Sequence, residues 1–506
     1  MSDMGRMEKM DSVIEPMLLE SVKLEEAQKK NQYIGAVCVS LGAVCAGTVL
    51  AWTSPVLPQI QIPKSNMTNA TGGVSLNETI LTNLTQVLGN ATLNSTDIGF
   101  KLTESEGSLV GSMLAIGALI SAIPGGYIAD RIGRRNINML IAIPYIINWL
   151  LIVFASNAVM LYIARFFAGL ATGAVCVTAP MYIGEIAEVS VRGRLGSFFQ
   201  MCLCFGIFLT YLVGALLPWV GLSWVLLAIP ILFAIAMYFL PDTPVYLIKC
   251  GRVTDADKSL RYFRGPNYNV SNEMKVIEAN LAASEEKKAG LKDLVASRGN
   301  RKAMIAALGL MLFQQMSGIN AVIFYTVPIF QSAGTSMSSD VAAVTVSIVQ
   351  FVIAYVAAMI IDKRGRRFYL MLSSIGMMVC VAALGLYFHL KLNKISFAGL
   401  GMLPLSSLVL FIVAFSLGLG PIPWMILSEL LAPEIKGVGS GITVMTNWLF
   451  VFVVTFSFPL MNSGLGGHIT FYVFAVILFL ATCFVYYYVP ETKGKTLSEI
   501  QMLLNK

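Results

Sequence analysis

Charged residues are scarce in this chain. Asp, Glu, Lys and Arg make up 12% of its 506 residues, against about 25% in soluble domains. So few charges cannot cover the surface of a water-soluble fold of this length, which excludes a cytosolic enzyme, a nucleic-acid binder and a disordered chain. Histidine is scarcer still: only His389 and His468 occur. HExxH and GxSxG are absent, so neither the zinc-hydrolase nor the serine-hydrolase signature is present, and no enzyme is expected. Gly494-Lys495-Thr496 ends like a phosphate-binding loop, but the glycine required five residues earlier is Val489. Eight cysteines contain no CxxC pair, and the polar stretch 60–106 has none. A disulfide framework and a zinc site are therefore not expected, nor is any metal or cofactor. Residues 1–32 lack the apolar core and cleavage site of a signal peptide.

Apolar residues, in contrast, reach 56%. A helix needs about 20 of them to cross roughly 30 Å of hydrocarbon. Twelve stretches qualify: 33–58, 107–129, 137–156, 160–183, 195–217, 222–240, 303–331, 340–361, 368–389, 404–428, 437–461 and 467–489. The expected class is an all-α integral membrane protein of twelve transmembrane helices, here numbered as spans 1 to 12. With the N-terminus in the cytoplasm, inside breaks and tails hold 30 of the 35 Lys and Arg, and outside breaks hold four: Lys64, Lys101, Lys391 and Lys394. That bias places both termini inside. Six N-x-[ST] sequons, at Asn66, Asn69, Asn77, Asn83, Asn90 and Asn94, fall in the outside loop 60–106 and are expected to be glycosylated. Asn269, in a basic inside segment, is expected to stay unmodified. The plasma membrane is the expected location, with an intracellular vesicle left open.

The chain repeats itself. ADRIGRR at 129–135 answers IDKRGRR at 361–367. Glu185 with Arg192 answers Glu429 with Lys436, seven residues apart in both. PDTPVY at 241–246 answers PETKGK at 490–495. The expected division is a tail 1–32, a six-helix bundle 33–240, a cytoplasmic linker 241–302 with short amphipathic helices, a second bundle 303–489 and a tail 490–506. Parallel six-helix repeats point to an alternating-access transporter with its site between the halves.

A pocket for a neutral, hydroxyl-rich molecule needs uncharged groups that donate and accept, which amides supply, and an aromatic face. Span 7 carries Gln314, Gln315 and Asn320. On a straight helix positions 315 and 320 point about 140° apart, but Ser317-Gly318 between them can break the helix and turn both to one cavity. Pro421 and Pro423 predict an unwound or kinked span 10 just before Trp424. Asn447 lies in span 11 and Gln200 in span 5.

GGYIADRIGRR, PMYIGEIAEVSVRGRLGS, PDTP, QQMSGINAV, GPIPW, NW and PETKGKTL resemble the sugar porter family of the major facilitator superfamily, over residues 33–500. In style the sequence is similar to insect facilitated trehalose or hexose transporters. The resemblance implies facilitative transport of trehalose or a hexose such as glucose by a monomer in the lipid bilayer, without nucleic acid. Proton symport, or a non-transporting sugar sensor, is the alternative. Gln200, Gln314, Gln315, Asn320, Trp424 and Asn447 match the family's sugar-site positions, and Phe324 and Tyr325 its outer-gate aromatics. Asp130, Arg131, Arg134, Arg135, Glu185 and Arg192, mirrored by Asp362, Arg366, Arg367, Glu429 and Lys436, match its cytoplasmic ion-pair lock. Met311, Gln350, Ser416 and Val245 depart from the pattern, the first two within the pocket. Arg165 is the only Lys or Arg inside a span. It reads either as snorkelling to the outer interface or as a buried functional group. In proton-coupled relatives an acid of span 1 stands beside it, where this chain has Thr48.

Overall fold

In the computed structural model, residues 28–62, 101–266, 268–285, 294–334, 337–361, 364–395, 400–431, 435–493, 495 and 497–505 are described. Twelve helices there are long and apolar enough to cross a membrane: Lys30–Ile60, Glu104–Ile132, Arg134–Val153, Ala158–Ile186, Ser190–Leu216, Trp219–Tyr238, Arg298–Ala333, Ser339–Ile360, Arg366–Leu392, Leu400–Leu427, Val438–Gly464 and Gly467–Tyr488. Each overlaps one expected stretch. Among the described residues the only extended pairing is a parallel bridge between Gln61 and Leu102. The six sequons fall outside the described residues.

Local chemistry explains where spans begin and break. Span 2 starts at a capping box: the Glu106 amide donates to Thr103 Oγ1 at 3.3 Å and the Thr103 amide returns a bond to Glu106 Oε2 at 2.8 Å. Prolines inside spans 2, 3, 4 and 6, at Pro124, Pro144, Pro180 and Pro230, leave those helices continuous, as neighbouring helices allow in membranes. Spans 7 and 10 are each two helices. Span 7 consists of Arg298–Met316 and Ile319–Ala333; span 10 contains Leu403–Leu417 and Ile422–Leu430.

Small residues let helix backbones approach, the usual packing device where lipid is as apolar as the side chains. A β-carbon on Gly47 of span 1 would lie 2.1 Å from the Leu203 carbonyl of span 5, and one on Gly206 would lie 2.3 Å from the Val44 carbonyl. Neither position admits alanine without the helices separating. The two halves meet where span 5 faces span 8, as in the Phe205–Phe351 ring contact at 5.8 Å, and where Gly441 of span 11 rests on Ile123 of span 2.

Between the halves run three short helices, Pro244–Lys249, Val253–Arg264 and Val270–Glu285. The second is docked under the first half. Its buried Phe263 packs against Gly35, and Asn31 and Gln32 donate to the Tyr262 and Phe263 carbonyls at 2.6 and 3.2 Å. Arg264 reaches the Ile186 carbonyl at 2.7 Å while paired to Glu273 at 2.6 Å.

Candidate functional site

The break in span 7 builds the candidate site. Gly318 adopts φ +88°, the left-handed region that favours glycine, and a β-carbon there would sit 3.2 Å from the Phe474 ring. The break cancels the angular mismatch between Gln315 and Asn320: the Asn320 side-chain amide donates to Gln315 Oε1. Gln315 Nε2 donates to Asn447 Oδ1 at 3.0 Å, and Asn447 Nδ2 donates to Gln314 Oε1 at 2.9 Å and lies 3.3 Å from Met311 Sδ. Gln314 Nε2 donates to the Leu419 and Gly420 carbonyls at 2.7 and 2.8 Å. Those carbonyls lie in the gap between the two helices of span 10. One chain of buried amides therefore joins spans 7, 10 and 11, with no ionised group among them. Such a surface can offer donors and acceptors to a neutral polyhydroxyl molecule. Trp424, 37% exposed, lies in the first turn of the second helix of span 10. Gln200 is half-buried and bonds within its own span, to Cys204 Sγ at 3.5 Å.

Further along span 7 a second irregularity meets the other half. Tyr325 has non-helical angles, φ −131° and ψ 23°. Pro328 has no N–H for the Phe324 carbonyl. Three side chains of the first half bond backbone groups around this irregularity. Tyr211 OH donates to the Ile323 carbonyl and lies 3.1 Å from Thr326 Oγ1. Thr53 Oγ1 donates to the Phe324 carbonyl at 3.1 Å, and the Val327 amide donates to Ser54 Oγ at 3.0 Å. Tyr325 OH donates to the Thr455 carbonyl of span 11 at 2.9 Å and abuts Gly111 of span 2. Phe324 and Tyr325 are buried. The halves are thus latched together at this end of the bundle, opposite the charged motifs.

The charged motifs form one knot in each half. In the first, Arg134 bonds Glu185 at 2.9 Å and Asp130 at 2.8 Å, and Thr243 donates to Glu185 Oε2. Arg135 Nε donates to the Met237 carbonyl at 3.3 Å, at the end of span 6. Asp242 of PDTP accepts the amides of Arg134, Arg135 and Thr243 at 3.0, 3.2 and 2.8 Å, closing the N-terminus of span 3. Burial pushes its carboxyl up from the ordinary carboxylate value, while those amide donors pull it down. The second half repeats the plan. Glu491 of PETKGK accepts the amides of Arg366 and Arg367 at 2.9 and 3.2 Å, Arg367 donates to the Tyr486 carbonyl ending span 12, and Arg366 meets Glu429 at 3.3 Å. This knot is looser: among the described residues, Glu429 Oε2 and Thr492 Oγ1 have no partner, where Glu185 and Thr243 are bonded. Arg131 is exposed and stacks on Tyr127. Arg192 is exposed too and donates to the Ala187 carbonyl at 3.4 Å, so Glu185 is engaged by Arg134 rather than by its sequence neighbour. Asp362 and the side chain of Lys436 lie outside what the structure describes.

Arg165 is fully buried rather than snorkelling. Its Nε donates to the Val110 carbonyl at 3.2 Å and its Nη1 to the Val49 carbonyl at 2.6 Å, while its guanidinium lies 5.5 Å from the Trp52 ring. Val49 lies near the junction of the two helices of span 1. The cation therefore ties spans 1, 2 and 4 through backbone oxygens. Among the described residues no group of three or more His, Cys, Asp or Glu is placed to hold a metal ion.

A family profile described as "Sugar (and other) transporter" matches residues 25–504. The chain belongs to this transporter family. Curated relatives include facilitated trehalose transporters of Bombyx mori, 39% identical over 81% of this chain and 81% of that protein, and of Polypedilum vanderplanki, 34% identical over 93% of this chain and 87% of that protein. The transporter of Drosophila virilis is 36% identical over 93% of this chain, which spans about half (48%) of that relative's length. Among solved structures, a partially occluded inward open conformation of the xylose transporter XylE from E. coli has a TM-score of 0.73 at 22% identity, covering 92% of this chain and all of that one. An inward open conformation of the same protein has a TM-score of 0.72 at 23% identity, covering 92% of this chain and 98% of that one. These establish the twelve-helix major facilitator fold.

In this family member the structure brings together four of the six expected substrate residues, Gln314, Gln315, Asn320 and Asn447. Gln200 and Trp424 are not bonded into that cluster. Sequence reasoning missed Thr53, Ser54 and Tyr211, which carry no motif and show their role only through contact with span 7. It also missed the helix-closing part of Asp242 and Glu491. Their matched positions in the repeat were visible, but a repeated acid does not reveal that its partners are backbone amides.

Proposed function

We propose that this transporter carries a neutral sugar, trehalose or a hexose such as glucose, by facilitated diffusion with alternating access. The observation that carries the reading is the buried amide chain through Gln314, Gln315, Asn320 and Asn447 at two broken helices. Broken helices lining a central cavity are where transporters of this kind hold their ligands. The trehalose assignment draws on the curated relatives, and the pocket departures at Met311 and Gln350 leave a hexose as its competitor. The charged end is cytoplasmic, as the Lys and Arg bias supports, so the Thr53–Ser54–Tyr211 latch with Phe324 and Tyr325 closes the outer side. Arg134, Glu185, Arg366 and Glu429 set the cytoplasmic gate, and the protein works at the plasma membrane with its 60–106 loop glycosylated.

Arg165 favours uniport over proton coupling: its charge is met by carbonyls of spans 1 and 2, whereas a proton relay needs a titrating partner. Uptake of labelled trehalose and glucose into oocytes, with and without an uncoupler, tests the reading. Uncoupler-insensitive uptake that disappears in Gln315→Ala or Asn320→Ala, with the variants at the cell surface, is expected. Near-normal uptake in both variants would overturn the site.

A further inference from the structure

Two histidines in 506 residues is an unusually low number, and the fold brings them together. His389 lies in the last turn of span 9 and His468 in the first turn of span 12, 79 positions apart in sequence. Their ring centroids stand 5.6 Å apart with planes at 61°. His389 is exposed and His468 half-exposed. Gly466 leaves room for the His468 ring, which would lie 3.2 Å from any β-carbon placed there. With Zn–N bonds of about 2.0–2.1 Å, two imidazoles sharing one tetrahedral ion have centroids roughly 5.2 Å apart. The observed centroid separation of 5.6 Å is close to that value, and imidazole is a ligand suited to zinc, copper and nickel.

The pair also occupies a mechanical position. Two residues to either side of His389, Tyr387 OH donates to the Ala333 carbonyl at 2.8 Å, and Lys391 Nζ donates to the Ser332 and Ala333 carbonyls, each at 2.8 Å. The end of span 9 thus holds the last turn of span 7, whose earlier turns make the latch, while its histidine faces span 12. Lys391 is the nearest cation in sequence, and its ammonium is turned to those carbonyls.

We propose that His389 and His468 form a two-ligand site for a borderline divalent transition metal such as Zn2+, completed by water, and that metal there slows movement of span 7. With two protein ligands the ion is exchangeable, a modulator and not a structural metal. The site does not depend on the transport reading, but its access from the outer solution rests on the orientation proposed above. The test uses the full-length protein in nanodiscs. Zn2+ binding is followed by competition with a zinc-sensitive dye, and Cu2+ by electron paramagnetic resonance. Expected are one ion per chain, two imidazole nitrogens in the Cu2+ spectrum, and roughly tenfold or more weaker binding in each of H389Q and H468Q. Equal binding by wild type and the double variant would overturn the site. In a second arm, external ZnCl2 should slow labelled-sugar uptake several-fold in wild type and leave both variants unaffected. Binding without that effect would overturn the gating clause alone, and absence of any uptake would fall on the transport reading rather than on the site.

Discussion

Tyr211→Phe isolates the latch. The substitution keeps the ring, which is buried at 3% exposure, and removes one hydroxyl that serves the Ile323 carbonyl and Thr326. In the latched state the Val327 amide, the helical donor for that carbonyl, also meets Ser54 Oγ at 3.0 Å. Removing the hydroxyl therefore leaves a buried acceptor with one bond fewer, a cost of about 1–3 kcal/mol. If span 7 regularises when the halves part, Val327 returns to Ile323 and the open state loses nothing. The full cost then falls on the latched state, and a shift of about 1–3 kcal/mol changes the ratio of states by roughly 5–150-fold. The assay is the rate at which an impermeant thiol reagent, applied to the side bearing the 60–106 loop, labels a single cysteine placed at Ile60. That residue is 1% exposed in the latched form, and the eight native cysteines are first replaced. Tyr211→Phe should raise the rate by that factor, and Ser54→Ala, which strands the Val327 amide, should raise it in the same direction. An unchanged rate in both variants, at normal surface levels, refutes the claim that these side chains hold the end closed.

Arg165→Lys should lower the thermal stability of the solubilised protein markedly, because an ammonium cannot span the Val110 and Val49 carbonyls as the guanidinium does; a size-exclusion stability assay reads it. Glu185→Gln should cost more than Glu429→Gln in the same assay. The first breaks an almost buried pair, a class worth about 3–5 kcal/mol when one partner is removed, and also loosens Thr243, whereas Glu429 meets Arg366 at a longer 3.3 Å and is 27% exposed. Asp242→Ala and Glu491→Ala should each lower stability by about 0.5–2 kcal/mol, the scale of a lost helix cap, and equal stability of both with wild type would remove the capping role.

The twelve spans were legible because length and hydropathy dictate them, and the break in span 7 was legible because Ser317-Gly318 stands between two amides that a straight helix would separate. The internal repeat was legible as order and spacing. Partner choice was not. Glu185 and Arg192 lie seven residues apart in one repeated motif, which left the partner of each open; span 4 ends and span 5 begins between them, and Glu185 takes Arg134 from span 3. Arg165 was ambiguous for a related reason: early in span 4 an arginine is within reach of the interface, and only the approach of the Val49 and Val110 carbonyls turns it inward. Thr53 and Ser54 were silent because Ser and Thr hydroxyls in apolar helices usually bond their own turn, as Thr210 does to the Gly206 carbonyl, and Tyr211 because a lone tyrosine in an apolar span reads as packing.

The two knots and the latch divide the work of alternating access between them. Each knot ties its own half: Asp242 and the arginines bind the start of span 3 to the ends of spans 4 and 6, and Glu491 with its arginines does the same for spans 9, 10 and 12. These bonds join elements of one half and not the two halves to each other, so they brace the cytoplasmic end of each half as a unit. The latch is built differently. Its bonds cross from one half to the other, and two of its backbone groups, the Ile323 carbonyl and the Val327 amide, are ones a regular helix would pair with each other, whereas the Phe324 carbonyl, opposite Pro328, would find no helical donor. Opening then exchanges two of the three cross-half bonds for one helical bond between the Val327 amide and the Ile323 carbonyl, which offsets part of what the latch loses, and leaves the Phe324 carbonyl to other donors. The amide site lies on the same span as that exchange: Gln315 lies in the last turn of the first helix of span 7, ten residues before Tyr325, and Asn320 in the first turn of the second, five residues before it. A ligand that reorders the Gln315–Asn320–Asn447 bonds therefore acts on the helix whose regularity decides whether the latch holds.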